Sequence, residues 1–150
     1  MSEAYRVEMQ SVGAGPTALG SAGPFTVVAD RPVEGGGNGR GFNGGQLFYL
    51  SIAACISNDL YREARTRGID LSSVKVSVDG DFPARGKPST PIEVSLVVAG
   101  AAPEQELSEL VDEVDRIAEI PNSIRATTPV TIVERRFVAG AVRESGEVTP

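Results

Sequence analysis

The single cysteine of this chain, Cys55, lies four residues before Asp59, and Arg62 follows Asp59 by three. On a helix those spacings place a thiol, a carboxylate and a guanidinium in neighbouring positions. A thiol does nucleophilic chemistry only as a thiolate, so it needs a positive neighbour or a helix N-terminus. Asp59 disfavours the thiolate unless a cation pairs with it, and Arg62 is placed to do so. Cys55 sits more than two turns inside its predicted helix, where the helix dipole contributes little. Two readings stay open: a small core residue, or a nucleophile activated by an arginine from elsewhere in the fold or from a second subunit.

A second candidate is the glycine run. Gly39, Gly41 and Gly44 fit the spacing G-x-G-x-x-G. A dinucleotide site requires a strand ending at the first glycine, a helix starting at the last, and a nearby parallel strand carrying an acid. Here Pro32 to Gly37 separates the preceding strand from the first glycine, and the next strand begins only at about Val74. No glycine-lysine pair is followed by Ser or Thr, so a phosphate loop of the Walker kind is absent. The glycines are expected to let the chain turn sharply into a helix, without a nucleotide cofactor.

Composition narrows the chemistry further. The chain has no histidine, which excludes Ser-His-Asp and Cys-His catalysis and any His-ligated metal. One cysteine excludes an internal disulfide and a thiolate cluster, and no metal or cofactor is expected. With 14 basic and 20 acidic residues the net charge is 14 − 20 = −6, which argues against nucleic-acid binding. Arg62, Arg65 and Arg67 are interleaved with Glu63 and read as a solvated helix face. No secretory signal is visible in MSEAYRVEMQ, and the longest apolar run, Leu47 to Ile56, is too short to span a bilayer. The expected location is the cytoplasm, where a lone thiol stays reduced. At 150 residues, 41% apolar and 23% charged, the chain suits one globular domain over 1–150.

Tyr5, Val7 and Met9 alternate with polar residues and predict a strand. Gly13 to Gly23 reads as turns around a short second strand, and Phe25 to Asp30 as a third. A helix is predicted from Gln46 to Arg67, with Asn43 capping its start and Gly68 at its C-cap. Its half from Leu47 to Ile56 is apolar nearly all round, which predicts burial on every face by sheet or by a partner subunit. Val74, Val76 and Val78 alternate in one strand, and Ile92, Val94, Leu96 and Val98 in another, joined by the stretch Pro83 to Pro91. Pro103 opens a second helix whose apolar positions Leu107, Leu110, Val111, Val114, Ile117 and Ala118 follow helical spacing. Pro121 is expected to end it. Val130, Ile132 and Phe137 suggest a last strand, and about 139–150 a loose tail. The order β-β-β-α-β-β-α-β is α+β.

Several of these stretches resemble one family. Asn43-x-x-Gln46-Leu47-Phe48, followed by a small-residue apolar helix and Ala53-Ala54-Cys55, is similar to the OsmC/Ohr proteins, named for osmotic induction and organic hydroperoxide resistance. The lead-in Asp30-x-Pro32-x-Glu34-Gly35-Gly36-Gly37, the Gly68-Ile69 pair before a Val-x-Val-x-Val strand with Gly80-Asp81, and Ile120-Pro121-Asn122-Ser123 resemble it too. The similarity runs from about Phe25 to Glu134 and agrees with the element order read from the residues. It implies an intertwined homodimer in which antiparallel sheets wrap a central buried helix. It implies thiol-dependent reduction of organic hydroperoxides, with Cys55 at the attacking position and Gly45, Phe48, Ile120 and Pro121 around the substrate. Asn43 and Gln46 would shape the entry to the helix.

The chain departs from the family at three positions. The resolving cysteine is replaced by Ile120, the glutamate before Gln-Leu-Phe by Gly45, and no arginine stands near Gly13 to Gly15. Arg6, Arg40 or Arg125 are the candidates to substitute in space. The expected protein has therefore lost the standard two-cysteine apparatus and keeps at most a weak one-cysteine peroxidase reaction at Cys55. The alternatives are an active hydroperoxide reductase served by an external thiol, and a non-catalytic binder of a small apolar ligand at the dimer interface. Whether the chain is an enzyme stays open at this point.

Overall fold

The computed structural model describes residues 4–140. They form two compact units that divide between Phe48 and Tyr49.

In the first unit, β1 (Glu8–Ser11), β2 (Ala18–Ala22) and β3 (Phe25–Ala29) form an antiparallel meander, with Met9 opposite Gly20 and Leu19 opposite Val28. The first strand starts later than the alternation suggested, leaving Tyr5 and Val7 ahead of it and exposed. A short 3₁₀ turn, Val33–Gly35, leads into the glycine run. Helix α1 (Gly44–Thr66) begins here and continues through the second unit.

Both ends of α1 are built by local chemistry. The N–H of Gln46 donates to Asn43 Oδ1 and the N–H of Asn43 donates to Gln46 Oε1, both at 2.9 Å, a reciprocal cap that satisfies otherwise orphaned donors. At the far end Gly68 takes φ +69°, the left-handed conformation that glycine adopts at little cost. The N–H groups of Gly68 and Ile69 then reach the carbonyls of Arg65 and Ala64, closing the helix in a Schellman turn.

The second unit continues with β4 (Leu71–Asp79), β5 (Ile92–Gly100), α2 (Glu104–Ile117), α3 (Glu119–Arg125) and β6 (Val130–Ala139). β4 and β5 pair antiparallel, Val76 opposite Leu96. The sheet is mixed rather than purely antiparallel, because β5 and β6 run parallel, with Val98 opposite Phe137. Parallel strands need a crossover, and α2 with α3 supplies it. The inward faces meet the expected pattern: Ile92, Val94, Leu96 and Val98 of β5 are buried, as are Leu107, Leu110, Val111 and Val114 of α2.

The helices and the C-terminal stretch refine the expectations further. Pro121 does not end α2, which stops at Ile117; it lies in the first turn of α3, where a missing N–H costs nothing because that donor has no helical partner. Along α1 the chain itself buries Ile52, Ile56, Asp59, Leu60 and Ala64 while Leu50 stays 47% exposed and Ala54 is open, so burial on the remaining faces is left to a partner subunit. Of the expected tail, Ala139 closes β6 and the N–H of Gly140 donates to Gly100. The remainder, 141–150, lies outside the described residues. Among the described residues no helix is long and apolar enough to cross a membrane.

Candidate functional site

The glycine loop already holds an anion, and it belongs to the chain. Asp30, only 4% exposed, points its carboxylate into the loop that follows it. Oδ1 accepts from the N–H of Arg31 at 2.7 Å and of Asn38 at 3.3 Å; Oδ2 accepts from the Thr17 hydroxyl at 2.8 Å and the N–H of Arg40 at 3.2 Å. Burial alone would raise the Asp30 pKa, but the Thr17 hydroxyl and the three backbone donors outweigh it and hold the carboxyl below its ordinary value. The amides that would cradle a phosphate are spent on this side chain. Two glycines are required for closeness: a Cβ at Gly37 would stand 2.0 Å from the Arg31 carbonyl oxygen, and one at Gly41 2.3 Å from that of Val28. The loop is tied together by its own side chain and backbone.

The thiol site lies in the second unit. Helix α1 presents Cys55 and, one turn on, Asp59; Cys55 Sγ lies 3.8 Å from Asp59 Oδ2. The first turn of α3 brings Glu119, whose Oε2 is 3.9 Å from the same sulfur. Asp59 is 3% exposed, Cys55 half-buried and Glu119 exposed. Arg62 pairs with Asp59 as its spacing predicts, Nη1 to Oδ1 at 2.7 Å, but on the oxygen turned away from the sulfur. Among the described residues no cation contacts Sγ.

The electrostatics follow from this placement. Desolvation raises the Cys55 pKa most. The backbone N–H of Ile120 opposes it, the charges of Asp59 and Glu119 add to it, and the N–H of Glu119 opposes weakly; the net effect holds the thiol protonated. Asp59 is also pushed up, chiefly by burial, against the pull of Arg62 and with the Glu119 charge adding to the rise.

The sequence-predicted residues divide. Ile120 is brought to Cys55 through its backbone N–H, while its side chain is 38% exposed; Pro121 is buried beside it in α3. Asn43 and Gln46 form the helix cap, and Gly45 and Phe48 are half-buried in the first turns of α1, in the first unit. Of the candidate arginines, Arg6 pairs with Glu8, and Arg125 pairs with Asp115 and donates to the carbonyl of Val130 at 3.1 Å. Arg40 gives its backbone N–H to Asp30. Sequence reasoning missed Glu119. Its adjacency to Ile120, already placed opposite Cys55 by resemblance, was the available signal.

Fold and site together define a thiol-bearing α+β protein with a capped central helix. The chain belongs to the OsmC-like protein family, whose model matches residues 36–133. Among solved structures it is similar to a hypothetical protein of Aquifex aeolicus (TM-score 0.77, 19% identity, 93% of this chain and 100% of that one). It is also similar to an OsmC-like protein of Mycoplasma pneumoniae (0.75, 17%, 94% and 100%). An organic hydroperoxide resistance protein of Legionella pneumophila follows at 0.63 and 20%, covering 93% and 98%. These likenesses are likenesses of fold. A comparison with curated proteins gave no match.

Proposed function

We propose that this protein is a homodimeric member of the hydroperoxide-resistance branch of its family that has left the two-cysteine cycle, keeping at most a slow one-cysteine reaction at Cys55. One observation carries the reading: the sulfur sits between Asp59 and Glu119, with Arg62 on the far side of Asp59. A peroxidatic thiol needs the opposite field. Ile120 at the resolving position supports it, since no second thiol exists in the chain.

The residual reaction balances as follows. Cys55–SH attacks the peroxide, the O–O bond breaks, and Cys55–SOH and an alcohol form. An external thiol then condenses with the sulfenic acid, releasing water, and a second thiol reduces the mixed disulfide and regenerates Cys55–SH. The test is sulfenic-acid trapping after mixing reduced protein with an organic hydroperoxide, with Cys55→Ser as control. Oxidation near the rate of a free thiol is expected; oxidation orders of magnitude faster overturns the reading.

A second reading, binding of a small apolar ligand, rests on the first unit. A groove of about 420 Å³ there is lined by Val7, Met9, Ala22, Phe25, Val27 and Leu47. The same open surface is what a second copy would cover in a homodimer. Displacement of an environment-sensitive apolar dye from the dimer, at concentrations where sedimentation shows no monomer, tests for a ligand.

A further inference from the structure

We propose that Arg125 is a positioning residue for the thiol site: by tying α3 to α2 and β6 it holds Glu119 and Ile120 against the Cys55 sulfur. The proposal rests on the reading above, in which Cys55 is a slow thiol, and names the residue that keeps it so.

The first argument is how little α3 can do alone. Its seven residues, Glu119–Arg125, are too few for a helix to persist in water without tertiary support. Nor does it continue α2, because Ala118 separates the two with an extended backbone at ψ 114°. The angle between the helices is therefore left to side chains, and with it the distance from Glu119 to the sulfur. Pro121 anchors the first turn of α3 by burial, but one apolar contact does not fix a direction.

The second argument is where the Arg125 guanidinium goes. It stands in the last turn of α3, half-buried, and all three nitrogens donate. Nη1 donates to the main-chain carbonyl of Asp115 at 2.7 Å and to Asn122 Oδ1 at 2.8 Å. Nε donates to the carbonyl of Val130 at 3.1 Å, and Nη2 pairs with the Asp115 carboxylate. One side chain thus joins the end of α2, α3 itself and the first residue of β6. The contact to Asn122 carries the effect back along the helix. With Oδ1 held by Arg125, the amide turns Nδ2 to α2, where it donates to the carbonyl of Arg116 at 3.0 Å. Asn122 lies one turn from Glu119, so this amide fixes the turn that carries Glu119 and Ile120.

The third argument is which groups at the sulfur depend on that hold. On α1, Asp59 faces Cys55, with Arg62 and Glu63 beside it. These share the helix of the thiol and stay with it whatever α3 does. Glu119 Oε2, at 3.9 Å, and the N–H of Ile120 come from α3 and stay only while α3 is held. The guanidinium of Arg125 is committed to Asp115, Asn122 and Val130, so it acts on the thiol through Glu119 and not as an activating cation.

A double-mutant cycle, read by the pH profile of Cys55 alkylation in the reduced full-length protein, is the test. In the wild type, Glu119→Gln should move the onset toward that of a free cysteine. In the Arg125→Met background the same change should move it by less than about half as much, because Glu119 no longer stands over the sulfur. Arg125→Lys should behave like Arg125→Met, since an ammonium lacks the fork that spans three elements. Hydrogen-exchange protection of β5 amides checks that the fold persists. Asn122→Ala, at an exposed position, repeats the cycle with Arg125 in place and should also diminish the Glu119→Gln shift. A shift undiminished in these backgrounds, or no shift from Glu119→Gln in the wild type, overturns the proposal. The two claims fail separately: a raised wild-type onset with an undiminished shift removes only the role of Arg125, and fast sulfenic-acid formation in the wild type removes the functional reading beneath it.

Discussion

The two units are held together by different means. In the second, among the described residues, apolar side chains of α1, the Ile69 turn, β5, α2, α3 and β6 are buried, Ile52, Leu60, Val94, Leu110 and Val114 completely so. In the first, among the described residues, no apolar side chain is buried; only Gly20 and Asp30 are. It instead exposes Val7, just ahead of β1, and Phe25 of β3, each at 74%, and Met9 of β1 at 53%. A three-stranded meander without a covered apolar face is barely stable in water. The difference teaches that the first unit depends on hydrogen bonds, above all those to Asp30, and needs a cover that its own residues do not supply. An open patch of this kind marks an interaction surface, which is why a homodimer is part of the proposed function.

Four experiments break or sharpen this contrast. The largest effect is expected in the second unit: Leu110→Ala should lower stability by about 2–5 kcal/mol through lost burial and a cavity, measured by chemical denaturation. A loss well under 1 kcal/mol would mean that this core is not what carries stability. Next, Phe25→Asp should leave the second unit folded but weaken self-association by a factor of a hundred or more, read by sedimentation over a dilution series. Unchanged association would remove the argument that the first sheet is covered by a second copy.

Asp30→Asn should strip hydrogen-exchange protection from the amides of Arg31, Asn38 and Arg40 while amides of β5 keep theirs. The pH dependence has a definite sign. The folded pKa of Asp30 lies below its unfolded value, so its contribution is fully present above the ordinary carboxylate range, about pH 4, and is lost as pH falls through the lower folded value. Acid should therefore loosen this loop in the wild type and change little in Asp30→Asn. The smallest effect concerns the thiol. Its raised pKa means that alkylation of the reduced protein should begin at higher pH than for a free cysteine, and Glu119→Gln should move the onset back down. An onset below that of a free cysteine would show an activating group near the sulfur.

How much of this was legible in the sequence depends on the range of the forces involved. Both caps of α1 were readable from Asn43 and Gly68, because a cap is decided within a few residues. The inward face of β5 and the apolar face of α2 were readable from period alone. The Cys55–Asp59–Arg62 sequence was read correctly because all three share one helix. What escaped were events between elements. The parallel pairing of β6 leaves no mark in its residues, and the short helix α3 was hidden behind Pro121, which reads as a stop but serves equally as a first-turn residue. Glu119 was missed for the same reason: its approach to Cys55 spans 64 positions of sequence. The Asp30 knot was half legible. The glycines announced a tight loop, but only the fold shows that a neighbouring carboxylate fills it.

The parallel partnership of β5 and β6 also sets a timetable for synthesis. β5 is paired with β4 early, since a hairpin forms as soon as both strands leave the ribosome, but its other edge waits through α2 and α3 for Val130 to Ala139. Until then a nascent chain displays an unpaired strand edge of valines and the apolar face of α2, the kind of surface that chaperones hold and that aggregates when crowded. A pause that holds β6 inside the ribosome after β5 has emerged would prolong that exposure, whereas a pause after β6 has emerged would not.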